Sequence, residues 1–416
     1  MTYSETAGRA LQHRMRELAA LGLILLILAV YTWATWAFFT RLQPGGNDFL
    51  AHYSAWEAYL KYGLNPYSDE AALVTQKAIY GRPALPGEDQ NRLTYPFYSI
   101  FLHGPFVYLD YPVARAIYMV LLQIALFVGV ALTLSLVHWH PPLPLLIVLF
   151  AWSVLDYHEA RGVIIGQFAI IGFFALAATL YLLRGQKDWL AGATLVIATI
   201  KPPLVVLVVP FLMLWAMARR RWGFVGGFLG ALGIVSTASF ILLPSWVGDM
   251  LYRVLRFPEY NSNLNPVHLL TNTAFPALGT VGELAISTAL LAGTAWWCWR
   301  ALQPSGDREF YSALGATLIV SNLVLPRVAT TNYVLMLIPT IWLFAVLDRA
   351  GGLGRAALVA ILITSLLGMW SLHVATVAGN SENPIMYIPW PTGLGLAWIA
   401  GRRWLLRDTE IANVRL

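Results

Sequence analysis

The chain has 416 residues, of which 58% are hydrophobic and only 12% are charged, whereas ordinary soluble domains are about 45 to 50% apolar and about 25% charged. Too few charged side chains are therefore present to cover the surface of a water-soluble protein. The net charge of +6 arises from short basic clusters between apolar runs, so it indicates membrane topology and argues against a nucleic-acid partner.

Long apolar runs begin at residues 18–39 and recur along the chain. A spanning helix needs about 20 such residues, and the runs lack the period-2 alternation of barrel strands. Because backbone groups in lipid must be hydrogen-bonded within the segment, the sequence predicts an all-α polytopic membrane protein. Arg9, Arg14 and Arg16 precede the first run and no small-residue cleavage site follows it, so we expect a retained span that starts in the cytoplasm.

The positions of the basic clusters predict which segments face the cytoplasm. These clusters are at residues 184–187, 219–221, 308, 349–355 and 402–407. The segments predicted to lie outside are 40–95, 156–167, 201–203, 244–280, 326–332 and 373–392. Between residues 94 and 201 the chain has one apolar segment more than the alternation of inside and outside segments allows. We expect that 95–109 is the segment that does not cross, since Pro96 and Pro105 interrupt it. About twelve spans then form a single membrane domain over residues 1–416. The sequence alone does not decide on which side of the membrane His138 lies.

The first outer loop, residues 40–95, is predicted to be ordered. Helical pieces at 49–62 and 70–80 are separated by turn residues, and the many aromatic residues of the first piece suit a helix at the lipid–water interface. Asp48 stands just beyond the first span, where a carboxylate is well placed to act as a general base. The alternative is that Asp48 only caps the helix that starts near Phe49.

A dense polar cluster occupies residues 156–167. Ionisable groups at membrane depth are costly and tend to be functional, and the alternative is a short solvated loop in which Asp156 pairs with Arg161. The candidate binding residues in this cluster are Asp156, His158, Arg161 and Gln167. Lys201 is isolated between two long apolar runs, so it either reaches the outer interface or binds an anionic headgroup.

Three arginines on the predicted outer side are candidates for binding phosphate. Arg253 and Arg256 are three residues apart and share one face of the helix predicted over 246–257, and arginine binds phosphate with bidentate geometry. The alternative is that Asp249 and Glu259 neutralise them. The third candidate is Arg327, which follows Pro326.

Several motifs that carry other chemistries are missing from the sequence. It has no Gly-rich phosphate loop, no His-Glu-x-x-His, no paired cysteines and no Gly-x-Ser-x-Gly. The first outer loop also has no Asp-x-Asp pair that would indicate a divalent ion. We therefore expect no nucleotide, no metal and no other cofactor.

Four short motifs recur in the order and spacing of a known family. They are an aspartate just after the first span, Tyr95-Pro96 at the close of the first loop, Gly166-Gln167 at the head of a later span, and Ala191-Gly192 with Lys201-Pro202. Together, over residues 20–345, they resemble glycosyltransferase family 87, whose members share the GT-C architecture and include mannosyltransferases that elongate phosphatidylinositol mannosides. Residues 326–333 depart from the pattern, since many relatives carry histidines there.

The resemblance implies an inverting membrane glycosyltransferase with Asp48 as the general base. The donor would be a polyprenyl-phosphate hexose or pentose, most simply mannose. The acceptor would be a hydroxyl of a lipid or glycolipid at the outer face of the plasma membrane. The outer cations would bind the lipid phosphate, in the order Lys201, Arg327, Arg253 and Arg256. The remaining candidate binding residues are His52, Tyr95 and Asn332.

Two other classes of function stay open from the sequence. A transporter or flippase for a lipid or small amphiphile would use the charged residues between 156 and 201 as a relay, but it should show internal repeats, and none is evident. A ligase or polymerase for a lipid-linked polymer would also carry outer arginines. The long ordered first loop with Asp48 at its start favours the transferase.

Overall fold

The computed structural model describes residues 3–43, 45–257, 265–304, 307–326, 329–378 and 382–407. Within these ranges the secondary structure consists of helices, and no strand is formed. The prediction of an all-α fold is therefore confirmed. The first half of the chain contains α1 (Tyr3–Thr35), α2 (Asn47–Tyr62), α3 (Asp69–Tyr80), α4 (Ile100–His103), α5 (Tyr111–Leu136), α6 (Leu143–Leu155), α7 (Tyr157–Ile165), α8 (Ala169–Arg184) and α9 (Asp188–Ala198).

The second half of the chain continues the helical array. Its helices are α10 (Val208–Ala218), α11 (Trp222–Leu242), α12 (Trp246–Arg256), α13 (Pro266–Leu269), α14 (Gly279–Leu302), α15 (Asp307–Val324), α16 (Leu337–Arg349), α17 (Gly352–Thr376) and α18 (Pro389–Arg407). A 3₁₀ segment, Thr330–Met336, leads directly into α16 and is buried along its whole length.

Several helices are long and apolar enough to cross a bilayer. Five reach that length in the described residues, and they are His13–Thr40, Tyr111–Leu136, Trp222–Leu242, Thr330–Arg349 and Gly352–Thr376. A sixth candidate is the pair α6 and α7, which is bent by 51° at the break between its two helices. Four shorter apolar helices, of 10 to 17 residues, accompany them. The chain is thus an integral membrane protein, while the total of about twelve spans stays a prediction.

The first outer loop folds into the two helices that its sequence predicts. Helix α2 ends at Gly63, whose φ of +66° is a left-handed cap, and α3 begins at Ser68, whose hydroxyl accepts from the Ala71 N–H. Only part of the aromatic face of α2 is available for the predicted interfacial contact, because Tyr62 is exposed whereas Tyr53 and Trp56 are buried inside the protein. They are covered by the segment that follows the loop.

That covering segment, residues 95–109, does not form one long helix. It is divided into Phe97–Ser99, α4 and Gly104–Tyr108, and each piece is far shorter than the roughly 20 residues that a span needs. The ring of Phe97 packs edge-on against Trp56, with 5.3 Å between centroids. The segment therefore acts as a cover over α2, which agrees with the prediction that it does not cross.

The turn after α5 lies at the end of the molecule that the basic clusters mark. Arg349 donates to the carbonyls of Val137 and His138, and Arg184 donates to the carbonyl of Ser135 at 2.6 Å. The turn that contains His138 is thereby placed on the same side as Arg184 and Arg349. The sequence alone left this side open.

Helices α9 and α11 approach each other through glycines. A Cβ on Gly192 would overlap the carbonyl oxygen of Phe224, and a Cβ on Gly227 would overlap the carbonyl oxygen of Trp189. Small residues at such contacts let two membrane helices pack backbone against backbone. The Ala191-Gly192 motif thus has a packing role between two helices.

Replacing Gly192 by alanine should loosen this contact. We expect Gly192→Ala to destabilise the protein by about 1 to 3 kcal/mol through overpacking, measured as a lower midpoint of thermal unfolding in detergent. Gly233→Ala in α11 is the control, because its Cβ would meet nothing within 4 Å and the helix propensity changes equally. Equal midpoints for the two variants would contradict the prediction.

Candidate active site

A cavity of about 660 Å³ lies between α2, the end of the first outer loop and α12. One part of its wall is polar and another, formed by α12 and the segment after Lys201, is apolar. Its lining residues are Asp48, Ala51, His52, Ala55, Asp89, Asn91, Arg92, Leu93, Thr94, Tyr95, Gln167, Lys201, Pro202, Pro203, Val206, Met250, Leu251, Val254, Phe257, Leu325, Pro326 and Ala329.

Hydrogen bonds connect four side chains in series along the polar side of the cavity. Gln167 donates from Nε2 to Asp48 Oδ2 at 2.5 Å and accepts at Oε1 from Lys201 Nζ at 2.7 Å. Lys201 also donates to Asn332 Oδ1 at 2.7 Å. Since an amide has one donor end and one acceptor end, both contacts together fix the orientation of Gln167. A carboxylate and an ammonium are thus held on the two ends of one buried amide.

Two left-handed glycines bring Asp48 and Gln167 together. Gly46 (φ +80°) is the N-cap of α2, and Asp48 lies in the first turn of that helix. Gly166 (φ +76°) ends α7, and a Cβ there would overlap Cβ of Phe49. Asp48 is therefore not the cap residue that the alternative interpretation required, and its carboxylate is directed to Gln167.

Arg115 of α5 connects the turn before α2 to the end of α7. Its guanidinium donates to the carbonyl of Gln43 and, at 2.9 Å, to the carbonyl of Ile164, so the turn before α2 and the end of α7 share one donor. The side chain also lies within 4 Å of the place that a Cβ on Gly46 would take. Arg115 was not among the predicted site residues, although a lone charge at the start of an apolar run was a usable signal.

The charges of Asp48 and Lys201 depend on burial and on each other. Asp48 is partly open to the cavity, yet removal from bulk water raises its pKa, and the nearby cations Lys201 and Arg161 oppose that rise. Burial likewise lowers the pKa of Lys201 to about 8, against the attraction of Asp48. Ionised Asp48 and protonated Lys201 thus stabilise each other.

Two histidines form a neutral wall beside Asp48. The His52 ring stacks on His103, with 4.4 Å between centroids and 3° between planes, and it meets Tyr95 edge-on at 4.4 Å. Burial lowers the pKa of His103 to about 4, and burial together with His103 lowers the pKa of His52 well below its usual value. Nδ1 of His52 is buried and has no hydrogen-bond partner among the described residues. His103 was missed because nothing in its local sequence marks it.

The polar cluster at residues 156–167 forms a largely buried helix, so the alternative of a solvated loop with an Asp156–Arg161 pair does not hold. Arg161 pairs with Glu382 at 2.7 Å and donates to Thr330 Oγ1 at 3.0 Å. Glu382 also accepts from the Tyr157 hydroxyl at 2.6 Å. Glu382 comes from the segment 373–392, which is predicted to lie outside, and sequence reasoning missed it as a partner. Asp156, His158 and Arg161 do not line the cavity.

The two arginines of α12 also point away from the cavity. Arg253 donates to the carbonyl of Tyr67 at 2.6 Å and pairs with Asp69 Oδ1 at 3.0 Å, while Arg256 donates to the Tyr252 hydroxyl. Asp249, which the alternative interpretation assigned to these arginines, accepts instead from Asn65 Nδ2 at 2.7 Å. Arg253 therefore attaches α12 to the first outer loop. Arg327 and Glu259 lie outside the described residues.

Comparison with known proteins adds one finding. The family model described as glycosyltransferase family 87 matches residues 93–326, which is more than half of the chain. The matched region includes Tyr95, Gln167 and Lys201 and begins after Asp48. Searches of the curated proteins and of the solved structures found no match.

The contact between Gly166 and Phe49 should be required for stability at this site. Alanine in the left-handed region costs about 1 to 2 kcal/mol at any glycine of this kind, and Gly166→Ala adds the overlap with Phe49. Gly63→Ala is the matched control, since Gly63 has φ +66° and open space around its Cβ position. We expect Gly166→Ala to lower the midpoint of thermal unfolding clearly more than Gly63→Ala, and equal losses would contradict this.

Proposed function

The chain belongs to glycosyltransferase family 87, and we propose that it transfers a sugar from a polyprenyl-phosphate donor to a hydroxyl of a lipid or glycolipid, with Asp48 as the general base. The family makes the chain a membrane glycosyltransferase. Mannose as the sugar, the lipid nature of both substrates and the role of Asp48 are our proposals. The whole chain, residues 1–416, acts in this proposal as a single membrane domain.

The observation that carries the proposal is the joining of Asp48 and Lys201 through Gln167 at the wall of one cavity. Transfer from a sugar phosphate needs a base for the acceptor hydroxyl and a cation for the departing phosphate. The two groups that the site holds together are a carboxylate and an ammonium. Both needs are thereby met at one place without a nucleotide.

In the proposed reaction the acceptor hydroxyl loses its proton to Asp48 as its oxygen attacks the anomeric carbon. The bond from that carbon to the phosphate oxygen breaks, and the phosphate leaves as an anion that needs no protonation. A positioned base contributes about 10² to 10⁴-fold in rate, and Lys201 stabilises the charge that grows on the phosphate. A single displacement with one base inverts the anomeric centre.

The two kinds of cavity wall fit the two parts of such a donor. Met250, Leu251 and Val254 of α12 offer apolar side chains to an isoprenoid chain. Asp89 and Asn91 offer polar groups near the end of the first outer loop, where sugar hydroxyls need hydrogen-bond partners. The donor phosphate would then lie between them, at Lys201.

The ends of α8 support placing the site on the outer side of the plasma membrane. Gln167 lies just before this helix and Arg184 ends it, so the two residues are separated by about 24 Å at 1.5 Å per residue. Arg184 and Arg349 lie together at the end opposite the cavity, and basic clusters remain in the cytoplasm. We therefore place the cavity at the extracytoplasmic face.

Asp48→Asn should remove the base and preserve the shape of the site. With a short-chain polyprenyl-phosphate mannose as donor, we expect about 10² to 10⁴-fold slower transfer by the purified variant. Glu57→Gln is the control, since Glu57 is on the same helix and pairs at the surface with Lys61, so its loss should leave transfer near the wild-type rate.

Two outcomes would overturn this assignment. Asp89 is the second carboxylate among the described residues of the cavity wall, so a large loss in Asp89→Asn with full activity in Asp48→Asn would move the base to Asp89. No transfer by the wild-type protein from any lipid-phosphate sugar, together with movement of labelled lipid across proteoliposomes, would favour the transporter.

The pH dependence of kcat/KM should report both ionisable groups. Asp48 must be ionised to accept a proton, so activity should fall at acid pH, at a higher pH than for an exposed aspartate, because its pKa is raised. Lys201 must be protonated to bind phosphate, so activity should also fall as pH rises past about 8. In Lys201→Arg the alkaline fall should disappear, because a guanidinium stays protonated. An unchanged alkaline limb in that variant would show that another group titrates there.

A further inference from the structure

A second group of ionisable residues lies at the start of α7, outside the wall of the cavity. Asp156, His158 and Glu159 are exposed by only 1%, 1% and 3%. One potential ligand atom from each lies within 4.8 Å of the other two. Two carboxyl groups and an imidazole are therefore concentrated at one buried point.

Ordinary hydrogen bonding does not account for this group. Each residue has one buried polar atom without a hydrogen-bond partner among the described residues, namely Asp156 Oδ1, His158 Nε2 and Glu159 Oε2. Asp156 is the N-cap residue of α7 and Glu159 stands three residues later, as in a capping box. The Asp156 side chain makes no capping hydrogen bond, so helix capping does not explain its burial.

The charge of the two carboxylates is not compensated by a permanently charged side chain in the described part of the chain, since the contact of Asp156 is with the imidazole of His158. Arg161, the nearest cation on the same helix, is paired with Glu382. In the part of the chain that the structure describes, no lysine or arginine forms an ion pair with Asp156 or Glu159. Burying carboxylates without a counter-charge costs several kcal/mol, and a bound cation would remove that cost.

We propose that Asp156, His158 and Glu159 bind a divalent first-row transition metal ion. Oxygen and imidazole ligands suit Zn²⁺ or Mn²⁺, whereas Mg²⁺ and Ca²⁺ take oxygen ligands. His158 Nδ1 lies 3.2 Å from Asp156 Oδ2, so this hydrogen bond orients the ring and leaves Nε2 as the imidazole atom for the ion. This site departs from the expectation that the chain needs no metal.

The position of the site indicates a structural role for the ion. Helix α7 lies between its N-cap residue Asp156 and its C-cap residue Gly166, and the next residue, Gln167, contacts Asp48. The rings of Tyr157 and Tyr333 lie 5.4 and 5.1 Å from the His158 ring and separate it from solvent. The ion would hold the start of α7 and thereby the helix that ends beside the cavity, without touching donor or acceptor. This inference is independent of the proposed reaction.

The test measures metal content and stability of the purified full-length protein. We expect the wild type to retain Zn²⁺ or Mn²⁺ in an amount close to one ion per chain by elemental analysis. Removal by a strong chelator should lower the midpoint of thermal unfolding, and adding back Zn²⁺ or Mn²⁺ should restore it. Glu159→Gln should bind clearly less metal and should show no shift when the ion is added.

The matched control is Glu283→Gln. Glu283 contacts His268 Nδ1 at 2.9 Å in a partly exposed pair, so it offers a similar carboxylate and imidazole without the third ligand, and its loss should leave metal content unchanged. A wild type with neither bound ion nor a shift with added Zn²⁺ or Mn²⁺ would overturn the proposal, since the two carboxyl groups would then be neutralised by a shared proton. Equal metal content in Glu159→Gln and wild type would also overturn it.

Discussion

The candidate site depends on one constraint, which is that buried opposite charges must be held at a fixed separation. A direct ion pair between Asp48 and Lys201 would occupy both groups with each other, whereas complete separation would leave each charge without compensation in a medium of low dielectric. Gln167 solves both problems, because its amide contacts the carboxylate at one end and the ammonium at the other. In the proposed reaction Asp48 then has an oxygen for the substrate proton, and Lys201 keeps its charge near the cavity.

The surrounding structure can be understood as the support for this amide. Gly46 and Gly166 permit the turns that bring α2 against the end of α7, and Arg115 ties the carbonyls of both turns to α5. The histidine pair excludes water on one side, and Asn332, presented by a fully buried 3₁₀ segment, fixes Lys201 on the other. Each support comes from a different part of the chain. This arrangement explains why a small set of weak motifs, spread along the sequence, describes the site better than any single motif does.

The sequence predicted the parts of the structure that depend on local signals. Helices α2, α3 and α12 were found within two residues of their observed ends, because glycine, serine and proline mark their limits. Gln167 and Lys201 were chosen because polar residues between apolar runs are costly, and Asp48 because of its position just beyond the first span and the family resemblance. What it could not reveal are pairings across long separations, such as Arg161 with Glu382, which are 221 residues apart. The burial of part of the aromatic face of α2 was also missed, since periodicity shows that a face is apolar and not whether lipid or protein covers it.

The pairing of Arg161 with Glu382 also has a consequence for the charge balance of the proposed reaction. Before transfer, Lys201 faces both the Asp48 carboxylate and the singly charged phosphate of the donor. After transfer, Asp48 is protonated and neutral, while the phosphate has gained a charge, so the anionic charge around Lys201 is unchanged in amount and has only moved towards the leaving group. Arg161, neutralised by its own carboxylate, does not need to change partner. A site that conserves charge in this way needs little reorganisation of its surroundings during the step, which is the condition under which fixed dipoles and charges are most effective in catalysis.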